Sequence, residues 1–228
     1  MAIGTKDVKG GGSSINKTIA PGNHKLKINS ILAEDFKFIP GALNLLLNVE
    51  TEPIDGFEGF FIDKDDESKG RYAGQIGRVK AGQYAFADGT TKSGIEIDRD
   101  NSILVFVKAL CTSLDALDWF DAQDEKHDTI EEFIDAFNND APYKDKFLDF
   151  CIAGKEYENR AGYTAYDLHL PKSSRDGYAF SQVESGKTLL FSESIHIKKN
   201  TPKKVNSFGT DDSDDTSSKA TASDFDLD

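Results

Sequence analysis

The chain has little cysteine, no long apolar run and no apolar segment near its start. Only two cysteines occur among its 228 residues, Cys111 and Cys151. Each lies in an apolar run, so we expect two buried thiols rather than a disulfide, which suits a reducing, intracellular setting. The first residues, MAIGTKDVKGGGSS, lack the apolar centre of a secretory signal, and no apolar run reaches membrane-spanning length. The sequence therefore predicts a protein that is neither secreted nor embedded in a membrane.

The net charge of −13 is unevenly distributed. Residues 209–228 carry seven Asp and one Lys, and residues 102–150 carry twelve acidic residues and four Lys. The remaining residues, 1–101 and 151–208, together have a net charge of +1. Because the acidic residues concentrate in two segments, the rest of the chain can still form a basic face.

Residues 69–88, KGRYAGQIGRVKAGQYAFAD, combine cations with aromatic rings, and we call them the basic stretch. Its cations are Lys69, Arg71, Arg78 and Lys80, and its aromatic residues are Tyr72, Tyr84 and Phe86. This combination is typical of surfaces that bind unpaired nucleic-acid strands, because phosphates contact the cations and exposed bases stack on the rings. The alternative is a surface loop of an acidic protein whose tyrosines pack into the core.

A second group of the same composition lies on a predicted β-hairpin. Residues 147–157 and 163–170 predict two strands, and ENRAG between them predicts the turn. The hairpin contains Lys155, Tyr157, Arg160, Tyr163 and Tyr166. Two groups with one chemistry favour nucleic-acid binding, although alternation does not decide which tyrosines belong to the core.

The order of the predicted elements indicates a fold. Strands are predicted at 24–38, at 43–49 from the alternation of apolar residues, and at 57–62. The basic stretch then forms a loop, and an amphipathic helix begins at Asn101. Thr129 and Glu132 form a capping-box pattern for a second helix, which is followed by the hairpin and a last strand at 188–197.

This order matches a five-stranded Greek-key barrel of the oligonucleotide-binding (OB) type, which carries its helix between the third and fourth strands. The predicted fold class is therefore mainly β, an OB-fold barrel with a helical insertion at residues 102–140. Residues 1–22 are predicted as a flexible N-terminal arm, residues 23–205 as the OB domain and residues 206–228 as a disordered acidic tail.

Three motifs resemble sites of other chemistry. DKDDE at 63–67 resembles the start of a calcium loop, but Ser68 and Gly74 stand where that loop needs Gly and Glu. SGKT at 185–188 lacks the first glycine of a phosphate-binding loop. Glu96, Asp98 and Asp100 are candidate metal ligands of a nuclease, or only a solvated acidic turn. We predict no metal, no cofactor and no enzymatic activity.

Four segments, GRYAGQIGRVKAGQYAFADG, HDTIEEF, FCIAGKEY and YDLHLPK, together with the acidic terminus, carry a family resemblance. They resemble the single-stranded DNA-binding proteins of large tailed bacteriophages, notably the crAss-like group, over most of residues 15–200 and at the terminus. The resemblance implies an OB fold, sequence-tolerant binding of single-stranded DNA during phage replication, recombination or repair, and no catalytic residue. It also implies the cytoplasm of the infected bacterium as the location and a tail that recruits phage replication proteins.

In related proteins the tail often ends in an apolar or aromatic residue, whereas this chain ends in Asp228. Docking of a partner would therefore rest on Phe225 and Leu227, flanked by Asp224 and Asp226.

We expect phosphate contacts from six cations and base stacking on five rings. The cations are Lys69, Arg71, Arg78, Lys80, Lys155 and Arg160, and the rings are Tyr72, Tyr84, Phe86, Tyr157 and Tyr163. The alternatives are a protein-interaction or structural β-barrel module and, third, a metal-dependent nuclease.

Overall fold

The computed structural model of the chain describes residues 15–62, 65–173, 178–183, 185 and 187–200. Within these residues the protein is mainly β, as predicted. The strands are β1 (Gly22–Asp35), β2 (Leu43–Thr51), β3 (Phe60–Phe61), β4 (Arg71–Tyr72), β5 (Ile76–Lys80), β6 (Gly89–Thr90), β7 (Glu96–Ile97), β8 (Phe147–Glu158), β9 (Thr164–His169), β10 (Phe180–Gln182) and β11 (Ile197–Lys198). The helices are α1 (Arg99–Ser113), α2 (Leu117–Asp121), α3 (Ile130–Asp140) and α4 (Glu193–His196).

The main sheet contains both parallel and antiparallel pairs. The second half of β1 pairs with β2 and its first half pairs with β8, both antiparallel, and the β1–β2 register shifts between Ile28 and Ser30. On its other edge β2 pairs with β5, which meets β9 in parallel at Lys80 and His169. Because β9 also pairs with β8, the path of pairings β1–β2–β5–β9–β8 returns to β1.

The core lies between this sheet and the helices. On β2, Leu47 stands opposite Ile31 of β1 and Val79 of β5, and all three side chains are at most 1% exposed. The apolar alternation of β2 thus has the predicted structural meaning, since one side of the strand faces the core. Helices α1 and α3 contribute the buried side chains of Ile103, Val107, Leu110, Phe133 and Phe137.

The helical insertion forms where it was predicted, between β5 and β8. The Thr129 hydroxyl accepts a hydrogen bond from the Glu132 backbone N–H at 3.2 Å and caps α3, as the capping-box pattern indicated. The apolar pattern of the sequence continues from Ile103 to Phe120, but α1 ends at Ser113 and Asp115 has a positive φ of 52°. Trp119 and Phe120 therefore lie on the separate helix α2, where both rings pack against Phe133.

Two predicted strands differ from the structure. The strand that continues the sheet after β2 is β5, inside the basic stretch, whereas at 57–62 only Phe60 and Phe61 pair, with β4. Gly59 explains the difference, because its φ is 93° and a Cβ there would lie 2.7 Å from the Tyr72 backbone. The predicted strand at 188–197 is wrong as well: residues 193–196 are helical, and only Ile197 and Lys198 pair with β8.

Residues 15–21, the described end of the predicted arm, pack against the sheet. The Ile19 N–H donates to the Ile76 carbonyl at 3.0 Å, and the Ile19 side chain is 4% exposed. Gly77 makes this contact possible, since a Cβ at that position would overlap the Ile19 side chain. The arm therefore does not remain free up to residue 22, while residues 1–14 and the tail at 206–228 lie outside the described residues.

Both cysteines are buried free thiols, as predicted. Burial raises the pKa of Cys111 to about 12 and that of Cys151 to about 11, so neither thiol ionises at neutral pH. Among the described residues, no helix has the length and apolar character needed to cross a membrane.

Candidate nucleic-acid interface

The basic stretch contributes a strand to the outer face of the sheet, by which we mean the side opposite the core. In β5, Val79 faces the core while its neighbours Arg78 and Lys80 point outward. Arg78 stands opposite Asn48 of β2, and Lys80 stands opposite His169 of β9. Two of the four predicted cations therefore lie on β5, a strand of the main sheet.

The hairpin continues the same outer face. Asp167 of β9 stands directly opposite Lys155 of β8, and its carboxylate contacts the Lys80 ammonium at 2.6 Å. Tyr157 is two residues beyond Lys155 on the same strand, so it points to the same side. The structure thus brings the two sequence-predicted groups together, with Asp167 between them.

Every cation of the basic stretch has a carboxylate partner. The pairs are Lys69 with Asp66 at 3.9 Å, Arg71 with Glu58 at 3.2 Å, Arg78 with Glu34, and Lys80 with Asp167 at 2.6 Å. The Arg71 guanidinium also lies 4.2 Å from the centre of the Phe61 ring. These side chains remain partly exposed to water, so a phosphate can reach them only in competition with a carboxylate.

The cations of the hairpin differ. Lys155 and Arg160 are exposed, and no carboxylate of the described part of the chain lies within 4.0 Å of either. The turn between them is well defined, because the Asn159 side-chain oxygen accepts hydrogen bonds from the N–H groups of Ala161 and Tyr163 at 2.9 and 3.0 Å. The hairpin therefore presents two positive charges from a backbone that is held in place.

The Tyr72 side chain makes close contacts within the protein. Its hydroxyl donates a hydrogen bond to the Thr51 carbonyl, and its ring lies so close to Gly74 that a Cβ there would be 2.6 Å from the hydroxyl oxygen. Burial, with a smaller contribution from the charge of Glu50, raises the pKa of Tyr72 to about 12. This geometry favours a packing role for Tyr72 over the predicted stacking role.

Phe86 also belongs to the edge of the core. Its backbone exchanges two hydrogen bonds of 2.8 Å with Leu43, and its half-buried ring lies 6.4 Å from the ring of Phe106. The other three predicted rings are more accessible: Tyr84 is 64% exposed, Tyr157 46% and Tyr163 71%. Stacking of bases on these three tyrosines remains a prediction, and each of the three side chains is exposed.

Sequence analysis missed the strongly exposed aromatic residue Phe38. Phe38 is 86% exposed in the loop at 36–42 between β1 and β2, beside Ile39, which is 48% exposed. Because β9 runs parallel to β5, this loop and the hairpin turn lie at opposite ends of the outer face. The sequence signal was available, since Phe36 and Phe38 stand at the end of the first predicted strand, one residue before Pro40-Gly41.

Two of the three acidic residues considered as metal ligands of a nuclease make contacts with their neighbours in the chain. The Asp98 carboxylate caps α1 by accepting from the Asn101 N–H at 2.6 Å, and Asp100 pairs with the Arg99 side chain at 2.6 Å. Throughout the described ranges, no three His, Cys, Asp or Glu side chains are grouped so as to hold a metal ion.

No family model, no curated protein and no solved structure matches this chain. A function for the chain therefore rests on its own residues and their geometry.

Proposed function

We propose that this protein binds single-stranded DNA with little sequence preference, using an OB-type barrel. The strand pairings support this assignment: with β1, β2, β5, β8 and β9 as strands one to five, their order around the sheet is 1-2-3-5-4-1. The helices α1 to α3 stand between the third and fourth of these strands, as in an OB fold. OB folds bind oligonucleotides on the outer face of strands two and three and on the loops beside it.

The observation that carries the proposal is the hairpin between strands four and five. It exposes Tyr157 and Tyr163 next to Lys155 and Arg160, and neither cation has a carboxylate within 4.0 Å among the described residues. Exposed rings beside cations that form no ion pair provide stacking for bases and attraction for phosphates, which is what sequence-tolerant binding requires. Arg78 and Lys80 of strand three lie on the same outer face, each paired with a carboxylate.

In this proposal the protein coats and protects single strands during phage replication, recombination or repair in the infected bacterial cell. The predicted recruitment of replication proteins by Phe225 and Leu227 belongs to the same proposal, and both residues lie outside the described part of the chain.

Binding of a labelled single-stranded oligothymidylate and of a duplex of equal length tests the proposal, with fluorescence anisotropy as the readout. We expect much tighter binding of the single strand, and a log–log salt dependence of about −0.7 per phosphate neutralised. Equal affinity for the duplex, or an affinity independent of salt, would contradict it.

A double variant locates the interface. Lys155→Gln with Arg160→Gln should reduce the salt slope by about 1.4, because two phosphate contacts are lost. The matched control is Lys126→Gln with Lys144→Gln, which removes two exposed charges, one from the helical insertion and one from the turn that follows it. A similar loss in both double variants would show a general charge effect instead of a contact at the hairpin.

One observation favours a second candidate, a protein-interaction module. All four cations of the basic stretch are already paired with carboxylates of the same chain, so this part of the surface is close to neutral. Absence of binding to single strands at low salt would favour this function, and cleavage that requires magnesium would favour the nuclease.

A further inference from the structure

Two carboxylates on the outer face occupy cations that a DNA strand would contact. Asp167 holds Lys80 at 2.6 Å and stands opposite Lys155, while Glu34 pairs with Arg78. Both carboxylates come from distant parts of the chain, since Glu34 lies near the end of β1 and Asp167 lies on β9. They therefore converge on adjacent outward cations of β5 only in the folded protein.

The exposure of these pairs shows that they can exchange partners. About half of the side-chain surface remains exposed for Asp167 at 47%, for Glu34 at 50% and for Arg78 at 51%. Exposed ion pairs are weak because water screens them and because two long side chains lose conformational freedom. A phosphate that approaches Arg78 or Lys80 can take the place of the carboxylate.

We propose that Glu34 and Asp167 act as built-in competitors for DNA phosphates and so set the affinity of the outer face. This inference rests on the proposed function. In the free protein each carboxylate neutralises one cation, and in the complex it stays near a phosphate, which it repels within the Debye length of about 10 Å at 0.1 M salt. Both effects weaken binding, and both disappear when the carboxylate is replaced by its amide.

The test uses Asp167→Asn, Glu34→Gln and the double variant in the full chain, with an oligothymidylate as the probe. At low salt each single variant should bind about two- to fivefold more tightly, the size expected from one exposed ion pair. The double variant should gain about the product of the two factors. The salt slope should steepen by about 0.7 for each carboxylate removed, because one more phosphate is fully neutralised.

Asp135→Asn is the matched control, since it removes one exposed negative charge from α3 without touching the outer face. Its effect on affinity should be small at all salt concentrations. The melting temperature of each variant verifies folding, and an effect limited to affinity and salt slope separates competition from a structural role.

The possible results separate this inference from the proposed function. If the wild type binds single strands and the amide variants bind them more tightly than Asp135→Asn does, the proposed function and the inference are both supported. Binding by the amide variants alone also supports the competition. If the wild type binds and the amide variants bind no more tightly, the competition is wrong while the proposed function stands. If no variant binds single strands, the proposed function and the inference both fail.

Discussion

The basic stretch and the hairpin both combine cations with aromatic rings, but their surroundings differ. In the basic stretch all four cations are paired with carboxylates, and two of its three rings are partly buried. In the hairpin, Lys155 and Arg160 have no carboxylate within 4.0 Å among the described residues, and Tyr163 is 71% exposed. Composition alone therefore does not distinguish a surface that is available to a ligand from one that already serves the fold.

The difference has a physical cause in the position of each region. The basic stretch includes an interior strand, β5, whose side chains have neighbours on β1, β2 and β9. At the hairpin, residues 159–163 lie beyond the last β8–β9 pair, and the side chains of Arg160 and Tyr163 are exposed there. Groups on an interior strand are used for packing and pairing, and groups on a projecting turn remain accessible.

The largest expected effect is on stability, from truncation of the packed ring of the basic stretch. Tyr72→Ala should lower the free energy of unfolding by about 2–3 kcal/mol, because it removes a partly buried ring and its hydrogen bond to Thr51. Tyr72→Phe keeps the ring and should cost about 1 kcal/mol. Urea unfolding measures both, and a Tyr72→Ala protein of normal stability that fails to bind DNA would assign the ring to stacking.

Truncation of the hairpin rings should lower the affinity for DNA and leave the stability of the protein unchanged. Tyr163→Ala and Tyr157→Ala should each weaken single-strand binding by about 1–3 kcal/mol and leave the melting temperature unchanged, because exposed rings contribute little to folding. Tyr178→Ala, at another exposed tyrosine, is the control. Equal affinities for all three variants would place the stacking site elsewhere.

The smallest expected effect is a dependence of stability on pH at the junction of the two regions. Burial lowers the pKa of His169, which stands opposite Lys80, so the unfolded chain binds a proton more readily than the folded protein. The free energy of unfolding should therefore decrease as the pH falls below about 6.5, the ordinary value for histidine. His169→Gln should reduce this decrease, and an unchanged pH profile would contradict the assignment.

Sequence patterns predicted those elements whose signals are local. The alternation of β2, the Thr129 cap of α3, the helical insertion and the hairpin depend on residues close together in the chain. The sequence predicts a loop in place of β5, because this strand has only five residues and contains Gly77. The glycine is explained by the side chain of Ile19, which packs on it.

The ion pairs of the candidate site were beyond prediction from the sequence. Glu34 is 44 residues from Arg78, and Asp167 is 87 residues from Lys80, so only the sheet register brings them together. The exposure of Phe38 likewise depends on where the loop between β1 and β2 projects.

The contact between β5 and β9 has a consequence for how the protein opens. It is a single paired position with one neighbouring hydrogen bond, from the Leu170 N–H to the Lys80 carbonyl at 2.9 Å, whereas β1 and β2 are paired along nine positions. Local unfolding starts where the fewest bonds must break. Amide hydrogens at the β5–β9 contact should therefore exchange with solvent sooner than those between β1 and β2. The sheet should open locally beside the surface that we propose for DNA.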